Sequence, residues 1–366
     1  RWRGPALSGR RPGDPMPLPQ IARDRMRAED IAPPPSLRYS CDMDAGWRRQ
    51  RRGRGFAYVA PDGSRPDAAE AARIASLAIP PAWTDVWICK DACGHIQATG
   101  RDERGRKQYR YHADWTAHRS ATKFDTLPAF AEALPALRAR VDADLRRRTP
   151  GYERVVASVV WLLDNSLIRV GNPAYARDNK SFGLTTLRSR HVEIAGDSLR
   201  FRFRGKSGKH WRLQLTDRRI AGLIKTLQDM PGQQLFQYEH EGRYCSISSR
   251  DVNDYIAAFA GPEFTSKHFR TWAATVRAFG LFAAAELPDT KAGQVRAINA
   301  VLDQVAARLG NTRAVCRQCY VHPALPESWQ AGALRRSGRL KPVEGLDEGE
   351  VETAAFLRRW ARRAGP

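Results

Sequence analysis

The sequence predicts an α+β chain: a small β-rich N-terminal domain, then a mainly α-helical domain interrupted by a three-stranded β meander. Three observations predict it. The 366 residues are enough for about two domains. From about 37 to 115, apolar residues come in short runs bounded by Gly, Asp and Pro. From Leu127 onward they recur at helical spacings of three and four.

The first stretch, 1–35, is rich in Arg, Pro and Gly, includes Pro33-Pro34-Pro35 and lacks apolar periodicity. It reads as a disordered basic tail, and Met16 or Met26 is an alternative start. A β-rich domain is expected over 36–125. Its strands are Phe56–Val59, Val86–Cys89 and His95–Thr99, with a short helix over Ala68–Ala78. A helix from Leu127 to about Arg148 carries Phe130, Leu134, Leu137, Val141 and Leu145 on one face. The run Arg146-Arg147-Arg148-Thr149-Pro150-Gly151 stops it, with basic residues in the last turn and Pro-Gly beyond. The second domain, 126–330, continues with an apolar helix from Tyr152 to about Ile168. The meander follows at about 190–216: His191–Ile194, Leu199–Phe203 and Trp211–Leu215. Helical patterns resume at about 217–229, 249–260, 266–286 and 290–309. Residues 331–366 read as a C-terminal tail with a short helix near 350–363.

Composition narrows the function classes. No run approaches the roughly 18 apolar residues of a membrane span, and the Arg-rich start has no apolar stretch behind it, so a secretory signal is not expected. Six cysteines in this length do not make a disulfide framework, which points to a reducing cytosol. Lys+Arg of 61 against Asp+Glu of 39 gives a formal charge of +22. An excess that large points to a polyanion, nucleic acid first. Charge alone says nothing about chemistry.

The second half holds residues suited to a phosphodiester. Arg169 closes the apolar helix, Lys206 sits at a hairpin tip, Lys267 and Arg270 open a helix, and Tyr320 ends Val315-Cys316-Arg317-Gln318-Cys319-Tyr320. Two guanidiniums can clamp the non-bridging oxygens of a phosphate through paired N–H bonds. A Lys on a hairpin can bring a proton to a leaving oxygen. A Tyr hydroxyl can attack phosphorus once its deprotonation is favoured. Each residue taken singly is a surface or core position.

Order and context change that weighing. From about Ser36 to about Leu325 the sequence resembles the type IB DNA topoisomerases, in particular the compact poxvirus-like branch found in bacteria. In Leu167-Ile168-Arg169-Val170-Gly171-Asn172-Pro173-Ala174-Tyr175, the Arg and the Tyr match the family's first catalytic Arg and a DNA-contacting Tyr. Ser181-Phe182-Gly183-Leu184-Thr185-Thr186-Leu187 is also similar to the family. Phe203-Arg204-Gly205-Lys206 matches the hairpin of the catalytic Lys. Lys267-His268-Phe269-Arg270-Thr271-Trp272 matches the second catalytic Arg with a supporting Lys. The segment from Asn311 to Tyr320 matches the one that ends in the nucleophile. Viral and nuclear enzymes carry His where this chain has Asn311, nine residues before the Tyr. Asn can donate a hydrogen bond to a phosphate oxygen but carries no charge, and bacterial relatives commonly show it. In the N-terminal domain, Arg106, Gln108, Tyr109 and Tyr111 match a segment that touches duplex DNA. Gln can bond adenine bidentately, Arg can read guanine or hold phosphate, and Tyr hydroxyls can bond phosphates.

The resemblance implies an ATP-independent, metal-free isomerase. It would cleave one strand of duplex DNA through a 3′-phosphotyrosine and reseal it, acting as a nucleoid-associated monomer with no cofactor and no membrane partner. A tyrosine recombinase shares this chemistry but usually carries His-x-x-Arg at the second Arg, where this chain has Lys267-x-x-Arg270. A non-catalytic DNA-binding derivative is opposed by the intact set of Arg169, Lys206, Arg270 and Tyr320. A zinc protein would use Cys316-x-x-Cys319 with His322, or Cys89-x-x-x-Cys93 with His95. Gly205-Lys206-Ser207 is no phosphate-binding P-loop, because position 200 is Arg and the context is strand–loop–strand.

Overall fold

The chain is seen in a computed structural model, which describes residues 34–364 except 104, 335 and 337–339, and the backbone alone at 119–123, 174, 175 and 364. The expected disordered tail and alternative start therefore lie outside the described residues. One compact unit ends at Asp125 and a second begins at Thr126.

The first unit is built on a five-stranded antiparallel sheet of order β2-β1-β3-β4-β5. Its strands are β1 (Gly46–Arg52), β2 (Gly55–Val59), β3 (Thr84–Cys89), β4 (Ile96–Arg101) and β5 (Lys107–Tyr111). Helix α1 (Ala68–Ser76) packs on it, its first turn capped by the Asp67 carboxylate, which accepts from the Glu70 N–H. Trp47, Ile74, Val86, Ile88 and Ala98 form the core. Strand β1 has no counterpart in the sequence reading, because Gly-Trp-Arg-Arg-Gln-Arg-Arg shows no apolar alternation. The strand holds because Arg49 lies over the Phe56 ring, 4.2 Å from its centroid, while its guanidinium donates to the Pro80 and Trp83 carbonyls. Gly46 is required there: a Cβ would collide with the Trp87 indole, which donates to the Asp44 carbonyl at 2.9 Å. Helix α2 (Ala113–Asp125) closes the unit.

The second unit is mainly helical. Helices α3 (Leu127–Leu145), α4 (Tyr152–Ser166), α7 (Ser249–Ala260) and α8 (Ser266–Ala284) pack on one another. The expected face of α3, from Phe130 to Leu145, is buried. Between α4 and α7 the chain forms α5 (Pro173–Asn179), β6 (Val192–Ala195), β7 (Ser198–Arg204), β8 (His210–Thr216), α6 (Arg218–Gln228) and the hairpin β9 (Gln237–His240) and β10 (Arg243–Ser246). Strands β6, β7 and β8 make an antiparallel sheet in that order, and Leu199, Phe201 and Phe203 of β7 point to one buried face. After α8 come α9 (Lys291–Leu309), α10 (Arg313–Cys319), α11 (Ala324–Gln330) and α12 (Glu348–Ala364).

The stretch after 331, expected as a tail, instead carries the 17-residue α12 with Val351, Ala354, Phe356 and Leu357 buried against α3 and α8. Glu350 accepts from Arg138 at 2.7 Å and from the Trp272 indole at 2.9 Å, and Arg138 also pairs with Asp164 at 2.7 Å. The short periodic signal near 350–363 understated this helix because its anchor is a buried carboxylate, which a count of apolar positions passes over. Among the described residues no helix is long and apolar enough to cross a membrane.

Candidate active site

Arg169 is positioned by the end of α4. The helix stops at Leu167, a non-glycine residue in the left-handed region (φ 58°), so Arg169 lies beyond the helix and not at its end as the sequence predicts. The segment is then held on its far side. The Arg169 carbonyl accepts from the Leu184 N–H at 2.9 Å, and the Val170 carbonyl accepts from both N–H and Oγ1 of Thr185. Gly183 lies so close that a Cβ would stand 2.6 Å from the Arg169 carbonyl oxygen and the Gly171 backbone. The Gly183-Leu184-Thr185-Thr186 run is therefore a backbone clamp on the segment of Arg169.

Arg270 sits one turn into α8 and is only 3% exposed. Its Nη1 donates to the Leu167 carbonyl, and its Nη2 donates to the Leu309 carbonyl at 2.8 Å. These oxygens end α4 and α9, where carbonyls lack helical partners and the helix dipole favours a cation. Burial pushes the Arg270 pKa down, and the nearby Arg169 charge adds to it. A guanidinium keeps its proton in a protein, so the result is a strained positive charge, not a neutral side chain. Among the described residues neither Arg169 nor Arg270 pairs with a carboxylate.

Asn311 follows Gly310, which takes a left-handed φ of 61° to cap α9. Its side-chain oxygen accepts from Arg169 Nη2. Its enclosed Nδ2 has no hydrogen-bond partner, and neither does Arg270 Nε. The Cys316 thiol, fully buried and pushed up by burial, is the weakly polar neighbour of Asn311 and Arg270. Two desolvated donors, one amide and one belonging to the Arg270 guanidinium, are costly unless an anion completes them.

Tyr320 caps the short α10. Its carbonyl accepts from Thr275 Oγ1 of α8 at 3.1 Å, which ties the tyrosine to the helix of Arg270. The Arg270 guanidinium lies 5.3 Å from the centre of the Tyr320 ring, and the tyrosine side chain acts on that guanidinium. A cation so placed can stabilise negative charge developing on the phenol oxygen. The structure thus brings Arg169, Arg270, Asn311 and Tyr320 together.

Lys206 stands apart from these contacts, exposed in the Gly205–Lys209 connection of β7 and β8. Lys267 is exposed on the first turn of α8. Tyr175 lies on α5, its side chain outside the described set. In the first unit, Arg106 Nε and Gln108 Nε2 both donate to Asp102 Oδ2 at 2.8 Å. Tyr109 and Tyr111, 43% and 46% exposed, stack at 5.8 Å on the outer strand β5. Sequence reasoning missed Thr275 and Lys209, which donate to distant main-chain oxygens, and Asp102, whose side-chain partners Arg106 and Gln108 lie across a turn.

Cys316, Cys319 and His322 do not converge. Among the described residues no three His, Cys, Asp or Glu side chains gather as metal ligands. His322 is instead a buried structural acceptor: its Nδ1 takes the Ala324 N–H at 3.1 Å, as His191 Nδ1 takes the Arg188 N–H at 3.1 Å. Burial pushes both imidazoles from 6.5 down to about 4, with Arg190 and Arg188 adding to the effect at His191. Each is then protonated in the unfolded chain below 6.5 but neutral in the folded protein until about 4. Their contribution is present above that window and is lost as pH falls through it. Urea unfolding at a series of pH values should show stability declining from pH 6.5 toward 4, and His322→Asn should flatten the slope. Equal slopes for the two proteins would remove His322 from this account.

Comparison with known proteins places these features. Residues 112–331 match the family described as eukaryotic DNA topoisomerase I, catalytic core. Residues 55–102 match bacterial DNA topoisomerase IB, N-terminal domain. The chain is 32% identical over 285 residues to DNA topoisomerase 1B of Acanthamoeba polyphaga mimivirus, covering 75% of this chain and 85% of the viral protein. It is 22% identical over 261 residues to DNA topoisomerase 1B of Vaccinia virus (strain Western Reserve), covering 68% and 78%. It is 24% identical over 192 residues to DNA topoisomerase 1 of Mycosarcoma maydis, covering 47% and 18%. A tyrosine beside a buried arginine, in a chain that also carries a bacterial-type N-terminal domain, therefore has a family: this chain belongs to the type IB DNA topoisomerases, isomerases that act on DNA.

Proposed function

We propose that the protein relaxes supercoiled duplex DNA by transient cleavage of one strand, with Tyr320 as nucleophile. The observation that carries this reading is the cluster in which Arg270 lies over the Tyr320 ring and beside Arg169, which bonds Asn311, with Arg270 Nε and Asn311 Nδ2 left unpartnered. The Tyr320 oxygen forms a bond to phosphorus, its proton leaving to solvent. The bond to the 5′ oxygen breaks, and Lys206 gives that oxygen a proton. Charge rising on the non-bridging oxygens meets donors already in place, which need no reorganisation at the moment of reaction. Arg270 has two of its five N–H groups engaged on carbonyls, so it offers its Nε–H and the remaining Nη hydrogens.

The cleaved duplex swivels, and the 5′ hydroxyl attacks the 3′-phosphotyrosine to reseal the strand. Bond energy is kept in the ester, so ATP is not consumed. Guanidinium and ammonium groups occupy the electrostatic role that metal ions fill in other phosphoryl-transfer sites. The two units act as lobes of a clamp on the duplex. Arg106, Gln108, Tyr109 and Tyr111 supply contacts from one lobe, and Lys267 and Tyr175 from the other. The enzyme works as a monomer on nucleoid DNA.

Relaxation of both positively and negatively supercoiled plasmid in EDTA without ATP is the direct test, and a folded protein inactive under those conditions would refute the reading. Lys206→Ala should slow single-turnover cleavage by about 10²–10⁴-fold while DNA affinity stays within a few-fold. Equal losses in both would make Lys206 a phosphate anchor instead.

A further inference from the structure

The connection that carries Lys206 is not a free hairpin tip. It is closed on itself: the Gly205 N–H donates to the Lys209 carbonyl at 2.7 Å, and the Gly208 N–H donates to the Gly205 carbonyl at 3.1 Å. Ser207 and Gly208 both sit at left-handed φ, 60° and 76°. Two side chains then fasten this closed turn to the segment that carries Asn311. Lys209 Nζ donates to the Asn311 carbonyl at 3.1 Å across 102 residues of sequence. Trp211, the first inward residue of β8, lies parallel to its cross-strand partner Phe203, with ring centroids 6.1 Å apart. Its indole fills the space between two glycines. A Cβ on Gly205 would stand 2.7 Å from the ring, and one on Gly310 would stand 3.3 Å from it.

We propose that Lys209 is a positioning residue for Lys206, and that with Trp211 it latches the hairpin of the acid onto the turn of Asn311. The inference rests on Lys206 being the general acid. A proton donor works only within hydrogen-bond reach of its acceptor, and small misplacements are costly. A Lys on a two-stranded tip is otherwise free to sample many positions. The latch sets that tip against Gly310–Asn311, so the group that protonates the leaving oxygen and the group that stabilises the non-bridging oxygens hold one spacing. Lys209 acts through a main-chain carbonyl and needs no contact with DNA.

The test uses a synthetic duplex containing a mapped cleavage site, in two forms. One has the ordinary 5′ oxygen at the scissile phosphate. The other has a bridging 5′ sulfur, which departs as a thiolate and needs no proton. Lys209→Met keeps the aliphatic stem and removes the donor. Trp211→Phe keeps the stack on Phe203 and shortens the wedge. On the oxygen substrate each variant should cleave about tenfold more slowly, which for Lys209→Met is the scale of one lost hydrogen bond. On the sulfur substrate each should return to within about twofold of wild type. Arg169→Ala should stay slow on both. A Lys209→Met deficit that persists on sulfur, or no deficit on oxygen, overturns the latch. Failure of Lys206→Ala to be rescued by sulfur overturns the acid assignment itself, which separates the two failures. Melting curves of Trp211→Phe and Lys209→Met distinguish a displaced acid from an unfolded protein: a variant as stable as wild type but slow only on oxygen supports the proposal, and one slow on both substrates opposes it.

Discussion

Tyr320→Phe protein should form no covalent complex with DNA and should leave supercoiled plasmid unrelaxed, while binding duplex as wild type does. The substitution removes one oxygen and little else. The ring keeps its place 5.3 Å from the Arg270 guanidinium, and the backbone keeps its bond from Thr275. Phe keeps the ring, and the residue is only half-buried, so packing changes little. Loss of activity then reports the missing nucleophile and not a collapsed site. Denaturing gels after detergent quench read the adduct, and plasmid topoisomers read the relaxation. Residual relaxation at the wild-type rate would assign the nucleophile elsewhere.

Arg270→Lys should be nearly as damaging, slowing cleavage about 10²–10³-fold although charge is retained. The reason is geometric. One planar guanidinium reaches the Leu167 and Leu309 carbonyls together and still presents Nε–H to the site. A single ammonium on a flexible stem cannot meet all three demands. The Leu167 carbonyl belongs to the turn that aims Arg169, so the two arginines are coupled. The double variant Arg169→Ala/Arg270→Lys should therefore lose less than the product of the single losses. Single-turnover cleavage rates for the four proteins check this. Near-wild-type cleavage by Arg270→Lys would show that the two carbonyl bonds play no part in arranging the site.

The helices were the most legible part of the fold. α7, α8 and α9 fall where apolar spacing places them, because each buries one continuous stripe. β1 is hidden because its arginines and glutamine leave no apolar alternation to read, and the hairpin β9–β10 because Gln237-Tyr238-Glu239-His240 is mostly polar. In the site, Arg169, Arg270, Asn311 and Tyr320 could be named in advance by their order and surroundings. What holds them could not. Arg270 to Leu167, Lys209 to Asn311 and Thr275 to Tyr320 all end on main-chain oxygens, which every residue possesses and no motif marks.

The Asp102 carboxylate carries a consequence for how the N-terminal unit meets its substrate. Arg106 and Gln108 share that one oxygen, so their rotamers are chosen when the chain folds and not when DNA arrives. Immobilising a long side chain costs up to about 2 kcal/mol of rotamer entropy. In the proposed complex that cost is met before the encounter, and what remains for binding is the exchange of water around a preset pair of donors.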